Sequence, residues 1–146
     1  MYTFLKYLHS GLRYAVLLLV VAAIIGALLG WIGKKTYTEG NRKLNLFAFI
    51  SAHTQLLVGL ILYFISPLVQ FSGATMKDAT ARYWTVEHIT MMIIAIALIT
   101  VGYLRSKKVL VPEKKHFNIF IFYLLAVIIV IVTLILSGRG VLGMSV

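Results

Sequence analysis

The sequence predicts an all-α integral membrane protein, an up-down-up-down four-helix bundle. Three observations carry that expectation. The 146 residues are 61% hydrophobic and only 12% charged, with a mean hydropathy of +0.97, where a soluble domain is nearer about 45–50% apolar. The apolar residues fall into four runs, about 4–32, 44–65, 84–104 and 117–136, each reaching the ~20 residues a helix needs to cross a bilayer. The runs are long and continuous instead of short and alternating, which favours helices over a barrel. The short stretches between them leave room for one domain, 1–146, and join consecutive helices as antiparallel neighbours.

The first run opens with Lys6 and Arg13, as a signal peptide would. However, the apolar stretch Tyr14–Ile32 has 19 residues and no small-x-small cleavage site before Lys34, so a retained helix is expected. Gly26 and Gly30 form a GxxxG within it, a spacing that lets membrane helices approach closely. The second run carries His53, Gln55 and Gly59 and stops at Ser66-Pro67. Ser72-Gly73 marks a turn in the loop that follows. The third run holds Glu87 and His88 near its start, Met91 and Met92 one turn on, and Gly102 further along. His116 precedes the fourth run and reads as a solvated interface residue. Trp31, Tyr63, Tyr83, Trp84 and Tyr103 stand near run ends, where an aromatic belt would place them.

Fourteen basic residues against four acidic raise nucleic acid as a partner, but their placement argues against it. Nine of the fourteen sit in two stretches, 33–43 and 105–116, between apolar runs. Such clusters mark cytoplasmic loops, which puts both termini and loop 66–83 outside. The chain has no cysteine, which excludes disulfides, iron–sulfur clusters, Cys-zinc sites and covalently attached haem, but not haem held by histidines.

An ionisable residue inside a span is costly and is read first as functional. On the topology above, His9 and His88 both lie near the outer entry of their helices. Counted back from Lys34 and Lys107, they are 25 and 19 residues up, a mismatch of about 9 Å. The same count separates His53 from His88 by roughly 13 Å. His9 and His88 are therefore the better candidates for the axial ligands of one haem. Arg13 is at i+4 from His9 and shares its face; haem propionates would supply the anion it needs. Arg82, Arg139 and Lys6 are expected on the same side, with Arg82 or Arg139 joining Arg13 on the propionates. Glu87 points about 100° away from His88 and is expected to pair with Arg82 or Arg13. His53 and Gln55 diverge by about 200°, so His53 faces another helix, a partner subunit or a second site.

HSGLRYAVLLLV from His9, HTQLLVGLILYF with Gln55 and Gly59, and EHITMMIIAIAL with His88 resemble three helices of one four-helix half of the haem A synthase family. The chain is also similar to small bacterial proteins loosely labelled cytochrome b. The resemblance implies a haem b between His9 and His88 in a bacterial inner membrane, with Gln55 and Gly59 on the haem side. One departure matters. Lys6 stands where the family has an acid one turn before the first ligand, and there is one bundle instead of two. The expectation is thus a haem electron carrier or small respiratory subunit, working with quinone or a larger complex, more than a haem A-forming oxidase. Two other readings use the same residues: a cofactor-free scaffold, and a small proton-coupled transporter built on His53, Gln55 and Glu87.

Overall fold

The structure is a computed structural model; it describes residues 2–136 other than 68, 70 and 73, with the backbone but not the side chain of Trp84. The expected turn glycine Gly73, the Trp84 ring and Arg139 lie outside the described residues. Among those described, helices are the regular structure and no strand occurs: α1 (Tyr2–Ile32), α2 (Glu39–Ile65), α3 (Ala79–Arg82), α4 (His88–Lys108) and α5 (Pro112–Leu136). A short 3-10 turn, Thr75–Lys77, precedes α3, and a π-helical turn, Tyr83–Glu87, joins α3 to α4. Together α3, the π turn and α4 make one 30-residue helix, Ala79–Lys108. Four helices are long and apolar enough to cross a membrane.

The helices extend beyond their apolar runs, because residues that hydropathy does not register continue them. α2 begins at Glu39, not near 44. The Thr38 hydroxyl accepts from Asn41 N at 3.1 Å and the Asn41 side chain accepts from Thr38 N at 2.9 Å, a reciprocal capping box. α5 begins at Pro112, whose missing N–H costs nothing at a first helical position. α4 carries Arg105, Lys107 and Lys108 in its last turn, where the helix dipole favours cations. The basic stretches read as loops 33–43 and 105–116 are therefore partly helical, and the connections shrink to 33–38 and 109–111.

α1 packs along α2 and α5, and α4 packs along α5 and α2. α1 and α4 thus face each other across the interior. Alanines fill much of the shared core, with Ala23, Ala48, Ala52, Ala95 and Ala126 all buried. Close approach also uses glycines. A Cβ on Gly102 would come within 2.6 Å of Phe122 Cβ, and one on Gly30 within 2.5 Å of the His116 ring. Gly26 makes only an ordinary contact, with Leu44.

Two expectations are corrected here. His116 is not solvated; it is 1% exposed, seated in the notch that Gly30 leaves, with Nε2 3.1 Å from Thr36 O. Tyr83 and Tyr103 are buried too, instead of forming part of an outer belt. Tyr103 packs on Phe49 at 4.8 Å between ring centroids.

Candidate functional site

α1 and the α3–α4 helix each carry one histidine near the same end of the molecule. The ring centroids of His9 and His88 lie 6.3 Å apart, with the ring planes at 76°. Lys34 lies two residues beyond the end of α1 and Lys107 one residue before the end of α4, so a count from the helix ends gives a smaller offset than the count from the lysines. His9 lies 23 residues before the end of α1 and His88 20 before the end of α4. The difference is only about 4.5 Å of helix, which two inward-leaning side chains span.

The π turn sets the surroundings of His88. In an α-helix, residues five apart point about 140° away from each other. Here the backbone N–H of His88 donates to Tyr83 O, five residues back, so such pairs stack. The Tyr83 hydroxyl comes to 3.3 Å from His88 Nδ1, and Arg82 Nε donates to Glu87 Oε1 at 2.7 Å. Single π turns recur at functional sites. Spacing rules built on i+3 and i+4 missed the Tyr83–His88 contact, and no residue-type signal announces it.

α2 contributes Gln55 and Gly59. Gln55 Nε2 donates to His9 O at 2.7 Å, tying α2 to α1 at the level of the histidine. A Cβ on Gly59 would stand 3.1 Å from His9 Cε1, so glycine leaves that ring its room. His9, Arg13, Gln55, Gly59, His88 and Met92 line one cleft of about 1300 Å³, its open mouth included. Lys6 lines it as well, one turn nearer the N-terminus. Beyond these residues the walls are apolar, with Val20, Ala52, Ala95 and Ile99 among them.

Two polar atoms in this cleft are buried with no hydrogen-bond partner, His9 Nδ1 and Gln55 Oε1. Native interiors rarely leave such groups alone, and each exception calls for an explanation. Arg13 is 8% exposed, a cation held largely away from solvent in the same wall. Among the described residues no three of His, Cys, Asp and Glu come together.

Arg82 is not brought to this cleft. It is engaged by Glu87 and by Met76 O at 3.1 Å, the pairing expected for Glu87. Met91 is likewise absent from the lining, whereas Met92 is part of it. His53 faces α4: Nδ1 donates to Phe49 O at 2.8 Å and Nε2 lies 3.0 Å from Thr100 Oγ1. Thr100 is about 18 Å along the helix from His88, so His53 stands well away from the histidine pair.

No family model, curated protein or solved structure matches the chain.

Proposed function

We propose that the chain spans a membrane as an up-down-up-down four-helix bundle and holds one b-type haem between His9 and His88, serving as an electron carrier or a small respiratory subunit. The observation that supports this most is the 6.3 Å between the two imidazole centroids. Metal–imidazole bonds of about 2.0–2.1 Å, with the ring radius added on each side, put two imidazoles sharing one metal roughly 6–6.5 Å apart. Rings that both contain the ligand–metal–ligand axis adopt any mutual angle, so 76° is allowed.

The rest of the cleft fits a porphyrin. Its apolar walls suit the ring, and Gly59 leaves space beside His9. Arg13, buried in the wall of the cleft, would hold a propionate. The Tyr83 hydroxyl at His88 Nδ1 would fix that ring's orientation. A haem so placed supplies one-electron exchange, and its potential follows from these neighbours and from burial. Lys6 in place of an acid beside the site favours carrying electrons over oxidising a substrate. With the basic helix ends on the cytoplasmic side of a bacterial inner membrane, the cleft opens toward the outer side, within reach of quinone or a partner subunit.

A reduced-minus-oxidised spectrum of the protein purified in mild detergent, expressed with ample haem, tests this. A b-type band is expected, lost in His9→Ala and in His88→Ala while circular dichroism keeps its helical signal. A colourless, folded parent protein sinks the reading. Haem kept in both variants and lost in His53→Ala assigns the ligands elsewhere.

A further inference from the structure

At the opposite end of the molecule, the connection between α1 and α2 faces the junction of α4 and α5. Tyr37, Thr38, Arg42, Ser106, Lys107 and Lys115 line one recess there, with Glu39 beside Arg42. Its cations are set by packing. Lys115 Nζ donates to Ser106 O at 2.7 Å and lies over the Tyr37 ring. Lys107 lies over the Tyr103 ring, 5.6 Å from its centroid. Arg42 is braced by Glu39. Three cations against one carboxylate leave the recess net positive. Tyr37 forms its wall and accepts from Asn45 Nδ2 at 2.8 Å. Burial holds the Tyr37 phenol above its ordinary range, so it stays neutral and keeps a proton to donate.

From these observations we infer that the recess between the α1–α2 connection and the α4–α5 junction is a binding site for a phosphate-bearing anion, filled in the membrane by the headgroup of an anionic phospholipid. The placement argues for the lipid. The recess lies where all four long helices end, which is headgroup depth for a chain that spans the bilayer. Basic pockets between spans on the cytoplasmic side take such headgroups. Lysine serves here as a point charge for phosphate, and the Tyr37 hydroxyl adds a donor; the Ser106 hydroxyl already donates to Tyr103 O at 2.7 Å. The inference shares the membrane-spanning premise of the proposed function and is independent of haem.

The test is binding of a phosphatidylglycerol to the full chain in mild nonionic detergent, read by thermal unfolding. Phosphatidylcholine and inorganic phosphate are the comparison ligands. Phosphatidylglycerol is expected to raise the unfolding temperature where phosphatidylcholine does not. Lys107→Gln/Lys115→Gln should raise its half-saturating concentration about tenfold or more, since it removes two of the three cations that meet the headgroup. Lys35→Gln/Lys114→Gln, which removes two charges from the same end but none from the recess, should change it little. Should Lys107→Gln/Lys115→Gln fail to fold, Lys107→Gln alone gives the same reading in smaller measure. An equal shift with millimolar phosphate assigns the site to a soluble phosphate compound. Unchanged binding in the Lys107 variants, or an equal loss in Lys35→Gln/Lys114→Gln, overturns the proposal, as does no shift with any of the ligands.

Discussion

Where α1 gives way to α2, the Tyr123 hydroxyl donates to Asn45 O, Asn45 donates to the Tyr37 hydroxyl, and His116 sits against Thr36 O. Nearby, Asn118 donates to Lys114 O and accepts from Arg105. At the other end, His9 Nδ1 and Gln55 Oε1 are buried without partners inside a cleft. Among the described residues no such atom lies at the Tyr123 end. Both ends are rich in polar groups, so polarity alone does not separate scaffold from site. Satisfaction does. A buried network whose members are all paired holds helices in one arrangement. A buried group left unpaired costs about 1–3 kcal/mol, and that cost is what the proposed ligand would relieve.

The glycines should show the largest difference. Gly30→Ala drives a methyl to within 2.5–2.6 Å of three His116 ring atoms, and that ring is buried with nowhere to go. Overpacking of this kind costs about 1–3 kcal/mol, measured by thermal unfolding in detergent. Gly59→Ala is tight only against His9 Cε1, at 3.1 Å, with Nδ1 and Nε2 of that ring at ordinary contact distances. Its stability should change by less than about 1 kcal/mol, while the histidine spacing, and with it any haem spectrum, shifts. Equal destabilisation by the two substitutions would remove the distinction between the ends.

The hydroxyl of Tyr123 gives a smaller effect. Tyr123→Phe deletes a buried bond to Asn45 O and should cost about 1 kcal/mol, by the same amount whether or not a ligand is present. Gln55→Leu is its counterpart. It loses the bond to His9 O but also removes a stranded oxygen, so the ligand-free protein should change by less than about 1 kcal/mol. If the cleft holds a ligand that uses Oε1, the loaded protein loses more than the empty one. Identical losses in the two states would show that Gln55 only ties α2 to α1.

How much of this was legible beforehand depends on the range of the interaction. Hydropathy is a one-dimensional signal, so the four apolar runs could be located from it. Their ends could not, because helices held by Thr38, Pro112 and the Arg105–Lys108 turn continue where apolar residues stop. The meeting of His9 and His88 followed from topology, since both lie near the same end of like-directed spans. The divergence of His53 from Gln55 followed from helical geometry alone. The π turn did not show, because nothing in YWTVE distinguishes it from an α-helical turn. Nor did the burial of His116, which depends on a notch made by Gly30, far away in sequence. Two aromatics placed in a belt by their position, Tyr83 and Tyr103, turned inward because they have partners there, His88 and Phe49.

The smallest effect tests whether the fully paired end limits stability at all. α1 closes with Lys35 N donating to Gly30 O at 2.9 Å and Lys34 N to Trp31 O at 3.3 Å, the paired bonds of a Schellman ending. That ending needs a left-handed residue, and Lys34 takes the role with φ of 50°. A side chain there costs about 1–2 kcal/mol, whereas glycine escapes the strain but loses roughly 0.5–1 kcal/mol more chain entropy on folding. Lys34→Gly should therefore stabilise the protein by about 0.5 kcal/mol. The gain appears in the unfolding temperature only if the α1–α2 end comes apart in the same cooperative step as the rest. No gain, with the spectrum of the cleft unchanged, would mean that this end frays before the helices around His9 and His88 separate.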